Sequence, residues 1–237
     1  TGASSGIGRA LVHALAADGL RVAFCARRED KLDELVRELE RSEPMIPAAN
    51  LLVRTVDLRR ESQIVSLFDR IREKWGGVDV LINNAGITGH PEKQRFGSID
   101  YASFDDVMDT NVRGPLKMSE AFAANVAASA TKKIVVVTSS EGSISDVRSN
   151  RQPFYRSSKA AVNMMMKNIA YSLKDQGITV VLVNPGPVDT DMMAAVRGRM
   201  PLRSTELAVR EMMAVTDKAT LETTATFWNF DGTVMPW

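Results

Sequence analysis

Apolar residues along this chain fall into short β-branched runs, separated by longer segments in which every third or fourth residue is apolar. Runs of the first kind predict strands, and segments of the second kind predict helices. The predicted strands cover 22–26, 51–56, 78–82, 134–138 and 178–183, with a sixth near 226–230. The predicted helices cover 8–18, 31–41, 62–75, a long segment near 104–128, and 154–175.

The order of these elements indicates the fold class. Strand and helix alternate along the chain, and the strands are apolar on both faces, as in a parallel sheet that is covered by helices on both sides. The sequence therefore predicts an α/β fold with a doubly wound parallel sheet, in a single domain that spans residues 1–237. We expect a substrate loop near 188–210, because this stretch opens without a regular period and such sheets bind ligands beyond the carboxyl ends of their strands.

Composition and charge exclude several classes of protein. The net charge is +1 and no run of five like charges occurs, which argues against nucleic acid and anionic membranes as partners. No apolar run approaches the roughly 18 residues that a membrane span needs. One cysteine and two histidines cannot build a structural zinc site, so we expect no metal, and the lone thiol favours a reducing compartment such as the cytoplasm.

The first eight residues, TGASSGIG, place three glycines directly before a predicted helix. Glycines let a pyrophosphate approach the backbone, and the free amides and dipole at a helix start favour its negative charge. A tight turn without a ligand explains the same spacing equally well. The residues Gly2, Ser4 and Gly6 also fit the nucleophile elbow of hydrolases, but both histidines lie within the first 90 residues, whereas that fold needs one late in the chain.

Two further groups of residues carry candidate chemistry. The sequence NNAG, residues 83–86, directly follows a predicted strand, where paired amides either form a turn or contact a ligand. Tyr155 and Lys159 lie one helical turn apart, so an ammonium can stabilise the phenolate and lower the pKa of the tyrosine. Taken alone, this spacing is common by chance and is better explained as a surface pair.

In dinucleotide-binding folds, the end of the second strand of the fold meets the adenosine ribose, where an acidic residue selects NAD. The segment 22–26 of this chain is the candidate for that strand. Here the strand ends in Ala26, and Arg27 and Arg28 follow. Guanidinium groups can bind the additional phosphate of NADP. The alternative is that Glu29 and Asp30 neutralise both arginines through local ion pairs. We expect NADP to be preferred over NAD.

Seven segments in order along the chain resemble the signatures of the short-chain dehydrogenase/reductase superfamily. They are TGASSGIG, VDL, NNAG, TNVRGP, IVVVTSS, YRSSK and NPGPVDT. Within the family, YRSSKAAVNM, TSSEGSI and FDGTVMPW resemble a C-factor-like and carbonyl-reductase-like subgroup. The resemblance implies a Rossmann-like oxidoreductase that moves a hydride between a nicotinamide cofactor and a small-molecule carbonyl or secondary alcohol. The alternative is a cofactor-binding signalling or regulatory protein with little turnover.

The resemblance also assigns roles to individual residues. It implies that Tyr155 is the general acid/base, that Ser139 binds the substrate oxygen, that Lys159 lowers the pKa of Tyr155 and holds the nicotinamide ribose, and that Asn111 supports a relay water. Besides Tyr155 and Lys159, the implied cofactor-binding residues are Gly2, Ser4, Ser5, Ile7, Gly8, Arg27, Arg28, Asp57, Leu58, Asn84, Ala85, Gly86, Pro185, Gly186, Val188 and Thr190.

Three further expectations follow from the same resemblance. The family's first strand would precede Thr1 and is absent from this sequence. The 16 positions from Ser139 to Tyr155 imply a longer loop over the substrate. A homodimer or homotetramer is the expected assembly.

Overall fold

The computed structural model describes residues 1–43 and 45–237, and in that part of the chain helices alternate with parallel strands. The strands are β1 (Val22–Ala26), β2 (Leu51–Thr55), β3 (Val80–Asn83), β4 (Lys133–Val137), β5 (Thr179–Asn184) and β6 (Phe227–Asn229). The helices are α1 (Gly6–Ala17), α2 (Glu29–Glu40), α3 (Glu61–Trp75), α4 (Tyr101–Met108), α5 (Gly114–Ala128), α6 (Pro153–Lys174) and α7 (Thr205–Lys218). The predicted α/β fold class is confirmed.

The strands form two parallel groups that are joined by the first residues of the chain. β1 pairs with β2, and the second group has the order β3-β4-β5-β6. The backbone nitrogen of Ala3 donates to the carbonyl of Cys25 in β1 at 3.1 Å, and the nitrogen of Thr1 donates to the carbonyl of Ile82 in β3 at 2.9 Å. These contacts place the glycine-rich loop between the carboxyl ends of β1 and β3.

Helices cover both faces of the sheet. Apolar side chains of α3, α5 and α6 pack on one face, and those of α1, α2 and α7 pack on the other. The β4 and β5 strands are sealed from solvent on both sides, since Ile134 and Val180 face the first layer and Val135 and Val181 face the second. None of the helices in the described ranges is long and apolar enough to cross a bilayer.

The prediction of one long helix near 104–128 is wrong, because the structure has two helices there. Asp100 caps α4 by accepting a hydrogen bond from the nitrogen of Ser103, so the helix begins earlier, and a π-turn over Asp109–Arg113 separates α4 from α5. Pro115 has no N–H for the carbonyl of Asn111, so the hydrogen-bond ladder changes register at this point. The turn brings Asn111 to the inner side of the helix pair, where it is buried.

The substrate loop predicted near 188–210 is shorter than expected. The Ser204 side chain accepts a hydrogen bond from the nitrogen of Leu207 and starts α7, so residues 205–210 are helical. Residues 191–196 form a 3-10 turn within the remaining loop. The sequence around Ser204 shows no clear helical period, so the start of α7 was not predicted, although Ser204 is a typical cap residue.

Candidate active site

A cleft of about 1490 Å³ opens at the carboxyl ends of the strands. The glycine-rich loop and the end of β1 form one end of this cleft, and the loops after β4 and β5 form the other. Of the residues that the sequence nominated for the site, all except Asn111 line the cleft. Within the described ranges, no group of three or more histidine, cysteine or acidic side chains could hold a metal ion.

The glycine-rich loop is pressed against the NNAG segment. Gly2 has a φ of +71°, and a Cβ at this position would lie 2.8 Å from the Cα of Ala85. A Cβ on Gly8 would lie 2.2 Å from the carbonyl oxygen of Gly2. The Thr1 hydroxyl accepts hydrogen bonds from the nitrogens of Asn84 and Ala85, both at 3.1 Å. Side chains are therefore excluded at Gly2 and Gly8, and the backbone at the start of α1 stays accessible from the cleft.

The start of α1 is suited to hold an anion. Its N-cap residue Ser5 makes no side-chain capping hydrogen bond, and the first turn has no acidic residue. The Arg28 guanidinium donates to the hydroxyl of Ser4 at 3.0 Å and to that of Ser5 at 2.7 Å. Backbone amides, the helix dipole and a cation thus meet at one point, which fits the phosphates of a dinucleotide.

The two arginines after β1 are not neutralised by their sequence neighbours. Neither Arg27 nor Arg28 forms an ion pair with Glu29 or Asp30, and these two acids lie in the first turn of α2, where the helix dipole favours them. Arg27 is exposed and makes no hydrogen bond to the part of the chain that the structure describes. The local ion pairs that the alternative required are therefore absent from the described contacts.

Asp57 lines the same end of the cleft, but Arg59 already binds its carboxylate. Its carboxylate accepts hydrogen bonds from Arg59, from Nε at 3.0 Å and from Nη2 at 2.7 Å, and these bonds lower the pKa of Asp57. Its backbone nitrogen donates to the Gln63 side chain at 2.7 Å. The next residue, Leu58, is buried and packs against Gly114.

Tyr155 and Ser139 meet at the other end of the cleft. Burial raises the pKa of Tyr155, while the side chain of Ser139 opposes this effect in part. The Ser139 hydroxyl also accepts a hydrogen bond from the nitrogen of Glu141 at 3.2 Å. The nitrogen of Ser140 instead donates to the side chain of Asn184 at 3.0 Å. Of the two adjacent serines, Ser139 is the one whose side chain influences the pKa of Tyr155.

Lys159 lies one turn after Tyr155, as the spacing predicts, but its ammonium is held elsewhere. Nζ donates to the carbonyl of Val137 at 2.9 Å and lies 5.6 Å from the centre of the Tyr155 ring. Burial lowers the pKa of Lys159 to about 8. The pKa of Tyr155 is raised rather than lowered, opposite to the shift expected from its lysine neighbour, because desolvation of the phenol is the largest influence on it.

Asn111 lies behind the wall of the cleft. Its Oδ1 accepts a hydrogen bond from the nitrogen of Ile87 at 2.8 Å, and its Nδ2 donates to the carbonyl of the same residue at 2.8 Å. Nδ2 also donates to the hydroxyl of Ser158 on α6 at 2.9 Å. Asn111 therefore ties the segment after β3 to the helix that carries Tyr155.

Gln94 contributes to the site and was not found from the sequence. It is buried, and its Oε1 accepts a hydrogen bond from the nitrogen of Phe154 at 3.0 Å, at the start of α6. Its Nε2 donates to the carbonyl of Thr88 at 2.8 Å. A single glutamine in an irregular loop carries no spacing signal, and the contact spans 60 positions of the chain.

The loop after β5 is closed at its base by Arg203. The nitrogen of Asp189 donates to the carbonyl of Arg203 at 2.8 Å, and the nitrogen of Arg203 donates to the carbonyl of Pro187 at 2.9 Å. The guanidinium donates to the carbonyl of Pro185 at 2.8 Å and lies over the ring of Phe230 at 3.6 Å. Both ends of the loop over residues 190–202 are thereby held together.

Comparison with known proteins agrees with this geometry. The model of the short chain dehydrogenase family matches residues 1–201. The chain is a short-chain dehydrogenase/reductase. This short-chain dehydrogenase/reductase is 35% identical to the C-signal of Myxococcus xanthus over 162 residues, which cover 68% of this chain and 94% of the relative. It is 32% identical to an NADPH-dependent pterin aldehyde reductase of Arabidopsis thaliana over 198 residues, which cover 84% of this chain and 77% of the relative.

A solved structure extends the similarity to the fold. The NADPH-bound carbonyl reductase from chicken fatty liver superposes with a TM-score of 0.86 at 26% identity, covering 100% of this chain and 96% of that one. The resemblance to the C-factor-like and carbonyl-reductase-like subgroup is confirmed by these matches, and so is the Rossmann-like fold.

Proposed function

We propose that this short-chain dehydrogenase/reductase is an NADP-dependent reductase of small carbonyl compounds, with Tyr155 as the general acid/base. One observation carries the proposal. A single continuous cleft runs from Arg27 and Arg28 after β1, which form no ion pair with Glu29 or Asp30, to the cluster of Tyr155, Ser139 and Lys159. The two relatives described as NADPH-dependent or NADPH-bound are reductases, which supports the same cofactor and direction for this chain.

The residues of the cleft fit a bound NADP. When bound, the nicotinamide supplies or accepts a hydride. The start of α1 would hold the pyrophosphate, and Arg27 and Arg28 would hold the additional phosphate on the adenosine ribose. The remaining cofactor contacts that we propose are Gly2, Ser4, Ser5, Ile7, Gly8, Asp57, Leu58, Asn84, Ala85, Gly86, Lys159, Pro185, Gly186, Val188 and Thr190.

The substrate end is arranged to deliver a proton. Because the pKa of Tyr155 is raised, its phenol is protonated at neutral pH and can donate to an oxygen that gains negative charge. The Ser139 hydroxyl lies beside the phenol and can hold the same oxygen by a hydrogen bond. The Lys159 ammonium stabilises the phenolate left behind, since an opposite charge within about 6 Å favours the ionised form.

In this proposal Asn111 positions the wall of the cleft and does not contact the substrate. It holds both polar groups of the Ile87 backbone, and this segment follows Gly86 in the wall of the cleft. A relay water at this position is the role that the family resemblance implies.

A turnover screen tests the proposal. Aldehydes, ketones and quinones would be offered with NADPH and, separately, with NADH, and nicotinamide absorbance would be followed. We expect faster turnover with NADPH for at least one class of carbonyl compound. Tight binding of NADPH without turnover of any compound would instead favour the cofactor-binding regulatory protein.

A further inference from the structure

The segment 143–152 lines one wall of the substrate end of the cleft through Val147 and residues 149–152. It connects the 3-10 turn over Ser140–Gly142 to α6. Its two large apolar side chains are both exposed, Ile144 to 75% and Val147 to 46%. Apolar burial therefore contributes little to its position, and polar contacts must hold it.

Arg156 supplies the polar contact at the far part of this segment. Its Nη1 donates to the carbonyl of Ser149 at 2.6 Å, its Nη2 donates to the hydroxyl of the same residue at 3.2 Å, and its Nε pairs with the carboxylate of Glu141. Arg148, in contrast, donates only to carbonyls of its own segment. Arg156 is largely buried, with its side chain 13% exposed, so its geometry is fixed by these partners.

Glu141 brings a negative charge close to the reacting groups. Its nitrogen donates to the Ser139 hydroxyl, and its carboxylate raises the pKa of Tyr155. Two cations contact these groups: Lys159, on the same helix as Tyr155, and Arg156, which pairs with Glu141. An unpaired carboxylate would oppose formation of the phenolate, because like charges disfavour each other.

We propose that Arg156 is a positioning residue that joins Glu141, beside Ser139, to Ser149 in the segment 143–152. One guanidinium thereby holds the Ser149 part of this wall in place and offsets the charge of Glu141 next to Tyr155. The nitrogen of Ser145, in contrast, donates to the carbonyl of Trp237 at 3.1 Å. The kinetic part of this inference rests on the proposed reductase function. The anchoring part concerns the free protein and does not depend on turnover.

Three variants separate the two effects. Arg156→Lys keeps the positive charge but lacks the planar fork that reaches Ser149 and Glu141 together. Arg156→Ala loses both the anchor and the charge. Arg156→Ala combined with Glu141→Gln loses the anchor but leaves no unpaired carboxylate. Arg70→Ala, which removes a cation from an exposed ion pair on α3, is the matched control for a change of net charge.

Hydrogen exchange of peptides from 143–152 is measured first, in the protein without cofactor or substrate. We expect faster exchange in all three Arg156 variants and parent-like exchange in Arg70→Ala. Parent-like exchange in Arg156→Ala and Arg156→Lys would overturn the anchoring role even if the protein had no reductase activity.

The dependence of kcat and KM on pH is measured next, with a carbonyl substrate that the parent reduces. We expect KM to rise roughly 10-fold in all three variants, because the wall no longer has a fixed position. The apparent pKa of the activity profile should rise only in Arg156→Ala and return to the parent value in the double variant. Unchanged KM despite faster exchange, or an equal pKa shift in Arg156→Lys and Arg156→Ala, would contradict the proposal.

Discussion

The two ends of the cleft are built in different ways. The cofactor end consists of backbone segments that pack closely against each other. A Cβ on Gly2 would lie 2.8 Å from the Cα of Ala85, and a Cβ on Gly8 would clash with the carbonyl oxygen of Gly2. The substrate end consists largely of side chains on the loops after β4 and β5, and apolar residues such as Val147 and Met192 stay exposed there. The cofactor end accepts few substitutions, whereas the substrate end can change its lining while the fold is kept.

The largest effect is expected at the substrate end, at Tyr155. Tyr155→Phe removes the proton donor but keeps the ring, so we expect turnover to fall roughly 100-fold to 10,000-fold with nearly unchanged affinity for NADP. Steady-state kinetics and a cofactor titration measure the two quantities separately. Near-parent turnover by the Phe variant would remove Tyr155 from the mechanism.

Lys159 gives a pH-dependent prediction for the protein without cofactor. Its pKa of about 8 in the folded state lies below the ordinary value of 10.5, so the unfolded chain binds more protons between these two values. The free energy of unfolding should therefore rise from pH 8 to pH 10.5, by on the order of 3 kcal/mol relative to Lys159→Met. Below pH 8 the burial of the ammonium costs stability in full.

Urea unfolding of the parent and of Lys159→Met across this pH range measures the difference. Lys218→Met replaces an exposed ammonium at the end of α7 and serves as the control, for which we expect curves parallel to those of the parent. Parallel curves for Lys159→Met as well would show that Lys159 is not titrating in this range.

The cofactor end is tested by a change of specificity. Replacing Ala26 by Asp together with Arg27 by Ala places an acid at the ribose and removes one cation, so NAD should bind more tightly than NADP. A hydrogen bond to a charged group contributes about 1.5–3 kcal/mol, which corresponds to a change in the ratio of dissociation constants of roughly 10-fold to 100-fold. Titrations must be made at one ionic strength. Equal dissociation constants for NAD and NADP in the parent would overturn the predicted preference.

The smallest effect concerns the mobility of the substrate end. We expect hydrogen exchange over 190–202 to slow by up to about 10-fold when cofactor and substrate are both present, because the exposed Met192 then becomes covered. Peptides from α2, remote from the substrate end, provide the reference. Exchange over 190–202 that does not respond to the ligands would argue against closure of this loop.

The sequence predicted the sheet well because its strands are continuous apolar runs. Every strand was located to within two residues of its observed bounds, and β1 was predicted over the range observed. Patterning failed near 104–128, where apolar residues continue through the π-turn that positions Asn111. Periodicity reports which face of an element is buried, but it does not report a change of register inside that face.

The candidate site was predictable as far as its residues lie in local motifs. Tyr155 and Lys159 are one turn apart in sequence, and Ser139 directly follows the residue that ends the IVVVT run. The environment of these groups was not predictable, because burial in the tertiary structure lowers the pKa of Lys159 and the Val137 carbonyl fixes the position of its ammonium. The contact of Gln94 with Phe154 and the pairing of Arg156 with Glu141 depend on tertiary structure, for which a single sequence offers no signal.

The closure of the loop base at Arg203 has a consequence for protein engineering and for divergence within the family. Because Asp189 and Arg203 are already paired, the ends of the loop stay at a fixed distance whatever lies between them. Doubling the length of a flexible loop costs only about 0.6 kcal/mol. Residues 190–202 can thus be exchanged as a cassette, with new substrate preferences introduced by loop transfer while the catalytic frame is left intact.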